Sequence, residues 1–352
     1  MRMSERVKVA VLGASGYTGG ELVRLLLQHP RVEISYLGVR DHTERTLEGE
    51  HAFLAAGPDI PMRALDATAA ATEASFVFLA MPHGMSAEQA PLALEVGARV
   101  IDLGGDFRLP ADAYPEWYGF EHPAPELLQE AVYGLPELFA DRITSARLVA
   151  NPGCYPTPAI LGVAPLLAAG LVENGPVLVD GKSGLSGAGK SLTDPMMFAT
   201  SAESVRPYKV PRHQHTPEIE YVLGLAGNGL APPAIFVPHL VPQVRGVLCT
   251  SYVALADDGT TTEDLTDCLA RAYDGKPFVR VLPPGAMVDT KRVRGANTVE
   301  LQAVADRRTG QAIAIGAIDN LVKGAAGQAI QNFNLMNGYP EAEGLQSVGV
   351  YP

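Results

Sequence analysis

Val7-Lys8-Val9-Ala10-Val11-Leu12-Gly13-Ala14-Ser15-Gly16-Tyr17-Thr18-Gly19-Gly20 is the stretch that decides the fold. Val7 to Leu12 is apolar except for Lys8, which suits a strand buried in a parallel sheet. A helical pattern follows from Glu21 to Gln28, and Val32 to Leu37 reads as a second strand. Between strand and helix, Gly13, Gly16 and Gly19 spell GxxGxxG, a variant of the dinucleotide fingerprint. Glycines at this spacing permit a tight turn, close approach of backbone to a pyrophosphate, and close helix–strand packing. The flanking strand, helix and second strand distinguish a nucleotide-binding turn from a merely structural one.

Where this fingerprint grips a ribose 2′-hydroxyl, an Asp or Glu closes the second strand. Here the strand ends in Gly38-Val39-Arg40-Asp41. Arg40 suits a 2′-phosphate and Asp41 a hydroxyl; Arg40 tilts the cofactor towards NADP. Ser75 to Ala80 is a further buried strand running into Met81-Pro82-His83-Gly84. Ser86-Ala87-Glu88-Gln89 has the capping-box pattern that opens a helix, and Val100 to Leu103 adds another strand. Strands and helices alternating at this spacing predict a right-handed, doubly wound α/β sheet. Ligands then lie beyond the carboxyl ends of the strands, where His83-Gly84 and Gly104-Gly105-Asp106-Phe107-Arg108 fall. Arg108 suits either a bidentate clamp on a substrate carboxylate or a structural pair with Asp102 or Asp106. Residues 110 to 139, with the single tryptophan Trp117, read as an irregular cover.

The chemistry centres on Asn151-Pro152-Gly153-Cys154-Tyr155-Pro156-Thr157. The apolar run Ala146 to Ala150 leads in, and Ala159 to Leu167 follows. Pro156 and Pro158 fit only the first turn of a helix, so Cys154 falls just ahead of a helix N-terminus. The partial positive charge and N–H groups there favour a thiolate, the form that attacks carbonyl carbon. Against this, free cysteines are usually small buried hydrophobes. Arg212-His213-Gln214-His215-Thr216-Pro217-Glu218-Ile219 is a second island. Thr216 as N-cap and Pro217 as first helical residue predict a helix to Ala226, with His213 and His215 on the loop before it. His-x-His can hold a metal, but no third ligand cluster is near. Acid–base chemistry is expected, and no metal.

Pro176 to Asp180 predicts a strand leading to Gly184-Leu185-Ser186-Gly187-Ala188-Gly189-Lys190-Ser191, which satisfies the P-loop pattern GxxxxGK[ST] and raises an NTPase. Asp194-Pro195 interrupts the helix such a loop must open, and no strand ending in a magnesium-binding Asp follows. A Ser/Gly loop shaping the mouth of a site fits better. Ala234 to Val241, Val247 to Ala256, Phe278 to Leu282, Thr298 to Ala305 and Gln311 to Ile318 read as strands, the last two as a hairpin. Thr261 to Tyr273 is an amphipathic helix. An α+β domain results, a mixed sheet with helices on one face and a free face suited to a homo-oligomer. Lys323 to Asn337 is a small-residue helix preceded by Asp319-Asn320, placed to face the cofactor. The expected division is a dinucleotide-binding domain of residues 1–153, rejoined by the helix from about 322 to 352, and a catalytic and oligomerisation domain of 154–321.

The 352 residues are 47% hydrophobic and 19% charged, the balance of a globular enzyme. A formal charge of −12 argues against nonspecific nucleic-acid binding. Three widely spaced cysteines, without CxxC spacing, suit a reducing compartment. No signal peptide or membrane span is apparent, so a cytoplasmic enzyme is expected.

Nucleotide fold, nucleophilic cysteine and neighbouring histidine point to a dehydrogenase working through a thioester. With these landmarks the chain resembles the N-acetyl-gamma-glutamyl-phosphate reductase family of arginine biosynthesis over nearly its whole length. The shared motifs are GASGYTGGEL from Gly13, PHG at 82–84, DFRL at 106–109, NPGCYPT at 151–157, SGLSGAGK at 183–190, HQHTPEI at 213–219, RGVL at 245–248 and AIDNLVKGAAGQAIQN at 317–332. The SGAGK segment belongs to that pattern and accounts for the P-loop likeness. The resemblance implies that Cys154 attacks the acyl phosphate of N-acetyl-L-glutamyl 5-phosphate and that NADPH reduces the thioester to the 5-semialdehyde. It implies acid–base work by His215, with His213 as the alternative. It also implies Arg108, Arg245 and Ser183 at the substrate, and Gly13, Ser15, Gly16, Tyr17, Thr18, Gly19, Arg40, Pro82 and Asn320 at the dinucleotide. Val39 departs from the small hydroxyl residue usual beside that arginine. A sibling branch reduces carrier-bound aminoadipyl phosphate in lysine synthesis, with a cysteine segment more like GCNAT. Tyr155-Pro156-Thr157 favours the arginine branch. The implied partners are a small-molecule acyl phosphate and further copies of the chain, as a dimer or tetramer.

Overall fold

A strand with two buried faces needs a neighbour on each side, and the first apolar run has both. The computed structural model describes residues 6–41, 45–227, 229 and 231–351. Its first sheet contains β1 (Val7–Leu12), β2 (Val32–Val39), β3 (Arg45–Thr46), β4 (Pro61–Ala64), β5 (Phe76–Leu79), β6 (Arg99–Asp102), β7 (Val132–Tyr133) and β8 (Leu148–Ala150). Among the described residues they run in the order β3-β4-β2-β1-β5-β6-β8-β7, parallel except at the β3–β4 edge. The order steps outward from β1 in both directions, so the connections reverse between β1 and β5. That switch point is where a doubly wound sheet opens a crevice. Leu12 pairs with Gly38 on one side and Leu79 on the other, so the glycine turn leaves the sheet at this crevice.

Helix α1 (Tyr17–Leu26) follows the turn, and α2 (Met85–Val96) follows β5. The predicted capping box at Ser86 and Gln89 does not form. Helix α2 starts at Met85, after Gly84 in the left-handed region (φ +88°), and the Asp106 carboxylate accepts the Gly84 and Ala87 N–H groups at 2.9 and 3.0 Å. A carboxylate from a distant loop thus replaces the local cap, and it also favours the positive end of the helix.

The second sheet holds β9 (Val177–Gly184), β10 (Arg206–Pro207), β11 (Ala234–Val241), β12 (Val247–Ala254), β13 (Val279–Val281), β14 (Val299–Asp306) and β15 (Gln311–Ile318), in the order β10-β11-β9-β12-β15-β14-β13. Pairs β9–β11 and β13–β14 are parallel and the others antiparallel, a mixed sheet. One face carries α3 (Pro156–Ala168), α4 (His215–Ala226) and α5 (Thr262–Ala272). Strand β12 alternates accordingly: Val247, Cys249, Ser251 and Val253 are buried, while Leu248, Thr250, Tyr252 and Ala254 are half-buried on the other face.

Helix α3 contains Pro165, whose missing N–H leaves the Leu161 carbonyl without its intrahelical donor. The Tyr273 hydroxyl, just past α5, donates to that carbonyl at 2.6 Å. The P-loop-like segment opens no helix. Strand β9 ends at its first residue, Gly184, a 3₁₀ turn covers Leu185–Ala188, and the next helical residues are the 3₁₀ turn Asp194–Met196.

The chain divides into two compact units. The first comprises the described residues up to Pro152 with Ala325–Gln346; the second comprises Gly153–Gly324 with Ser347 onward. A π-helical turn, Val322–Ala326, leads into α6 (Gly327–Met336), which belongs to the first unit. The last residues differ from expectation, because the Val350 N–H donates to the Arg294 carbonyl at 2.8 Å and ties them to the second unit.

Candidate active site

In the first unit the glycine turn has the geometry its spacing predicts. Gly13 sits at φ +88°, and a Cβ there would meet the Ala80 carbonyl oxygen at 2.2 Å. A Cβ on Gly19 would meet the Gly13 oxygen at 2.2 Å, so α1 packs directly on the turn. At Gly16 the nearest atom to such a Cβ is 3.6 Å away, which leaves the backbone approachable at the first turn of α1. This cradle at a helix N-terminus fits a pyrophosphate. Ser15 and Thr18 are half-buried around it and Tyr17 is exposed. Pro82 is exposed just past the end of β5. Arg40 is exposed beyond β2, with a guanidinium nitrogen 2.7 Å from the Met85 sulfur.

Arg108 lies in the same unit and turns inward. Nε donates to the Asn151 carbonyl at 2.8 Å and Nη2 to the Leu103 carbonyl at 3.1 Å, with 5% of the residue exposed. Of the two roles open to it, the structural one has the geometry, with carbonyls as well as the Asp102 charge as partners.

In the second unit, Cys154 is the only residue of 151–160 that is not buried. The Thr157 N–H and hydroxyl both donate to the Gly153 carbonyl, at 3.1 and 3.0 Å, so the helical turn is wound before Pro156 begins α3. Gly324, in the π-helical turn, lies against the cysteine: a Cβ on it would be 2.8 Å from that of Cys154. The other two thiols are set apart by environment. Cys249 and Cys268 are buried, their S–H groups donate to the Tyr155 and Pro165 carbonyls, and burial pushes both thiols up. A thiol so raised is not a nucleophile near neutrality.

His215 and His213 stand beside Gly153. A Cβ on Gly153 would be 2.5 Å from His215 Nε2, so the imidazole rests on the backbone immediately before the cysteine. Helix α4 begins at His215 itself, two residues before the expected start at Pro217, because the His213 side chain supplies an acceptor. His213 Nδ1 takes the His215 backbone N–H at 3.1 Å. Neutral His213 therefore carries its proton on Nε2. Tyr155, Tyr208 and Phe236 surround the pair, with ring centroids 5.1 to 6.4 Å apart. Burial raises both tyrosines, so their hydroxyls remain neutral donors: Tyr208 to Tyr155, and Tyr155 to the His239 carbonyl.

Glu218 was legible only as part of a motif, yet it joins this cluster. It is fully buried; Oε1 accepts the Gly153 N–H at 2.8 Å and Oε2 stands 3.9 Å from His215 Nε2. Its position three residues after His215 on a helix, hence the same face, was the available signal.

Arg245 lies on the turn between β11 and β12, with 28% of its side chain exposed and Nη1 3.5 Å from Asp319 Oδ2. Asp319, expected with Asn320 beside the cofactor, has its carboxylate turned into the protein. It is fully buried and accepts N–H groups from Leu321, Val322 and Gly295 at 2.7–3.3 Å. Asn320 is engaged at both ends, accepting the Gly246 N–H and donating to the Ser186 hydroxyl. Ser183 is 1% exposed, and its hydroxyl donates to the Gly184 carbonyl. These three side chains fix the Arg245 turn and the 184–188 turn together. Among the described residues no cluster of His, Cys, Asp and Glu could hold a metal ion, and no helix is long and apolar enough to cross a membrane.

Family models match both regions: the semialdehyde dehydrogenase NAD binding domain over residues 8–146 and the semialdehyde dehydrogenase dimerisation domain over 154–320. Aspartate semialdehyde dehydrogenase II of Vibrio cholerae complexed with ASA aligns with TM-score 0.73 at 17% identity, covering 95% of this chain and 99% of that one. The Candida albicans aspartate semialdehyde dehydrogenase with NADP gives 0.71 at 15%, with coverage of 95% and 99%. These identities speak to fold alone. Much nearer in sequence is the N-acetyl-gamma-glutamyl-phosphate reductase of Magnetococcus marinus, 45% identical over 99% of this chain and all of its own. That of Symbiobacterium thermophilum is 47% identical over 98% and 99%. With identity of this level running from end to end, the chain belongs to the N-acetyl-gamma-glutamyl-phosphate reductase family.

Proposed function

We propose that the chain reduces N-acetyl-L-glutamyl 5-phosphate to N-acetyl-L-glutamate 5-semialdehyde through a thioester on Cys154. The observation that carries this is the His215 imidazole seated on Gly153, with Glu218 bonded to the Gly153 N–H and facing the ring, next to the one residue of the segment that is not buried. His215 takes the Cys154 proton. The thiolate forms a bond to the acyl carbon, and phosphate leaves with its bonding pair. When bound, the reduced nicotinamide supplies the hydride for the thioester. His215 then gives its proton to the tetrahedral oxygen and takes it back as the C–S bond breaks, which releases the aldehyde and returns the thiolate. A positioned acid–base group of this kind contributes roughly 10²–10⁴ in rate. His213, committed at Nδ1 to the His215 backbone, orients its neighbour.

Arg245 is the proposed anion contact for the substrate, since its partly exposed guanidinium suits bidentate recognition of a carboxylate or phosphate. Arg108 and Ser183, turned inward, support their own turns, and the Asn320 side chain does the same; Asn320 stays a proposed dinucleotide contact by resemblance alone. Gly13, Ser15, Gly16, Tyr17, Thr18, Gly19 and Pro82 are the proposed cofactor contacts, and Arg40 the contact to a 2′-phosphate, so NADP is the proposed cofactor. A second copy of the chain is proposed to cover the outer face of the mixed sheet. Ile235, Leu178, Tyr252 and Ile313 lie side by side there in register, and the matching family model is named for dimerisation. A reducing, cytoplasmic setting suits a working thiolate.

The test is phosphate-dependent reduction of NADP by the semialdehyde, with ATP hydrolysis as the control for the P-loop-like segment. Cys154→Ser should lose at least about 10³-fold in turnover and still bind NADPH. Retained turnover in that variant would remove the covalent mechanism.

A further inference from the structure

We propose that His51 is a positioning residue of the phosphate-binding turn: it sets the direction of the Ser15 N–H and thereby tunes dinucleotide affinity. The inference rests on the cofactor reading above and adds a residue that the fingerprint does not contain.

His51 Nε2 lies 2.7 Å from the Ala14 carbonyl oxygen, 37 residues away in sequence. A carbonyl only accepts, so Nε2 carries the proton. The ring is 6% exposed and occupies the space that a side chain at position 20 would take: a Cβ on Gly20 would be 2.6 Å from His51 Cε1. Its own segment is built to hold it there. The Thr46 hydroxyl caps the short helix Leu47–Glu50, Leu47 is fully buried, and the His51 N–H returns to the Leu47 carbonyl at 2.9 Å. The Phe53 ring meets the imidazole edge at 5.5 Å.

The remaining peptides of the turn are tied locally. The Gly13 and Ala14 N–H groups both donate to the Gly38 carbonyl, at 2.8 and 3.2 Å, and the Gly16 N–H donates to the Gly13 carbonyl at 3.2 Å. The peptide joining Ala14 to Ser15 is the one whose oxygen is fixed by a side chain. In a planar trans peptide the C=O and the following N–H point in opposite directions. By drawing the Ala14 oxygen to one side, His51 turns the Ser15 N–H to the other. Without the imidazole N–H, the buried Ala14 oxygen has lost its donor, and the peptide gains by rotating towards water. An oxygen swung to the ligand side would oppose a pyrophosphate oxygen and remove a donor from it.

The experiment is a fluorescence titration of the full chain with NADPH and with NADH, using four proteins. His51→Phe keeps the ring volume without a donor, His51→Gln keeps a donor near the Nε2 position, and His51→Asn has an amide too short to reach. Relative to wild type, His51→Phe and His51→Asn should weaken binding about tenfold, by the same factor for both dinucleotides, since the pyrophosphate is common to them. His51→Gln should stay within about twofold. Wild-type affinity in His51→Phe or His51→Asn overturns the proposal, as does a loss in His51→Gln as large as theirs, which marks a role in packing alone. Should His51→Phe fail to fold, the Gln and Asn pair decides. If the wild type binds neither dinucleotide, the cofactor reading itself fails, a result distinguishable from tight binding that is indifferent to residue 51.

Discussion

Glu218 holds the Gly153 N–H at 2.8 Å with one carboxylate oxygen while the other oxygen faces His215 at 3.9 Å. One buried side chain therefore sets the distance between the peptide that carries the nucleophile and the imidazole that serves it. Glu218→Gln retains an acceptor for Gly153 but no charge towards His215, and Glu218→Leu retains neither. Turnover should fall about tenfold in the first and about a hundredfold or more in the second, with little change in substrate KM. The Leu variant, leaving a buried N–H without an acceptor, should also lose about 1–3 kcal/mol of stability in urea unfolding. Equal kcat in the two variants would show that the charge is idle.

Gly153→Ala is a sharper probe, because its added methyl would sit 2.5 Å from His215 Nε2. The ring must move, and a displacement near 1 Å at a reacting group costs about 10²-fold. Steady-state kinetics should show that loss in kcat with NADPH affinity unchanged. An active Gly153→Ala enzyme would mean that His215 does not need its present seat.

Arg245 and Asp319 should behave as a unit. Arg245→Ala is expected to raise the acyl-phosphate KM by about 10²-fold, the effect of losing a charged contact. Asp319→Asn, which loosens the guanidinium, should raise it about tenfold. In the double variant the second change should add little, as coupled residues do. Strictly additive effects on KM would separate the two residues.

Asp102 predicts a pH dependence of stability. Its carboxyl is fully buried and pushed up to about 7, chiefly by burial and next by the Asp106 charge. A folded-state pKa above the unfolded value of 3.8 means that the native state binds the extra proton between those values. Stability then declines as pH rises from about 4 to about 7 and is level above that. Urea midpoints should follow this course in the wild type and flatten in Asp102→Asn. A midpoint that climbs through the window in the wild type, with no change in the variant, would contradict it.

The glycine turn and the cysteine segment were readable because local rules decide them. Gly13 needs φ +88°, and the prolines at 156 and 158 admit only a helix start. Helix α4 starts two residues before Pro217 because its first backbone N–H is satisfied by His213, a side chain from the loop before it, and not by Thr216. The capping of α2 by Asp106 and the pinning of Ala14 by His51 join positions 19 or more residues apart, and no periodicity announces them. Arg108, Asp319 and Asn320 carried the right chemistry for ligands, but each is engaged by protein groups, backbone ones among them, brought near only by the folded chain. Polar side chains facing inward to such groups look in sequence just like those facing a substrate.

Pro165 and Tyr273 make this chain asymmetric in what it tolerates at the two positions. An ordinary residue at 165 would restore the helical donor to Leu161 and release position 273 to vary. Loss of the phenol while the proline remains strands a carbonyl in the interior. Substitution at 165 is therefore tolerable with the tyrosine in place, whereas substitution of the tyrosine is costly until the proline has gone.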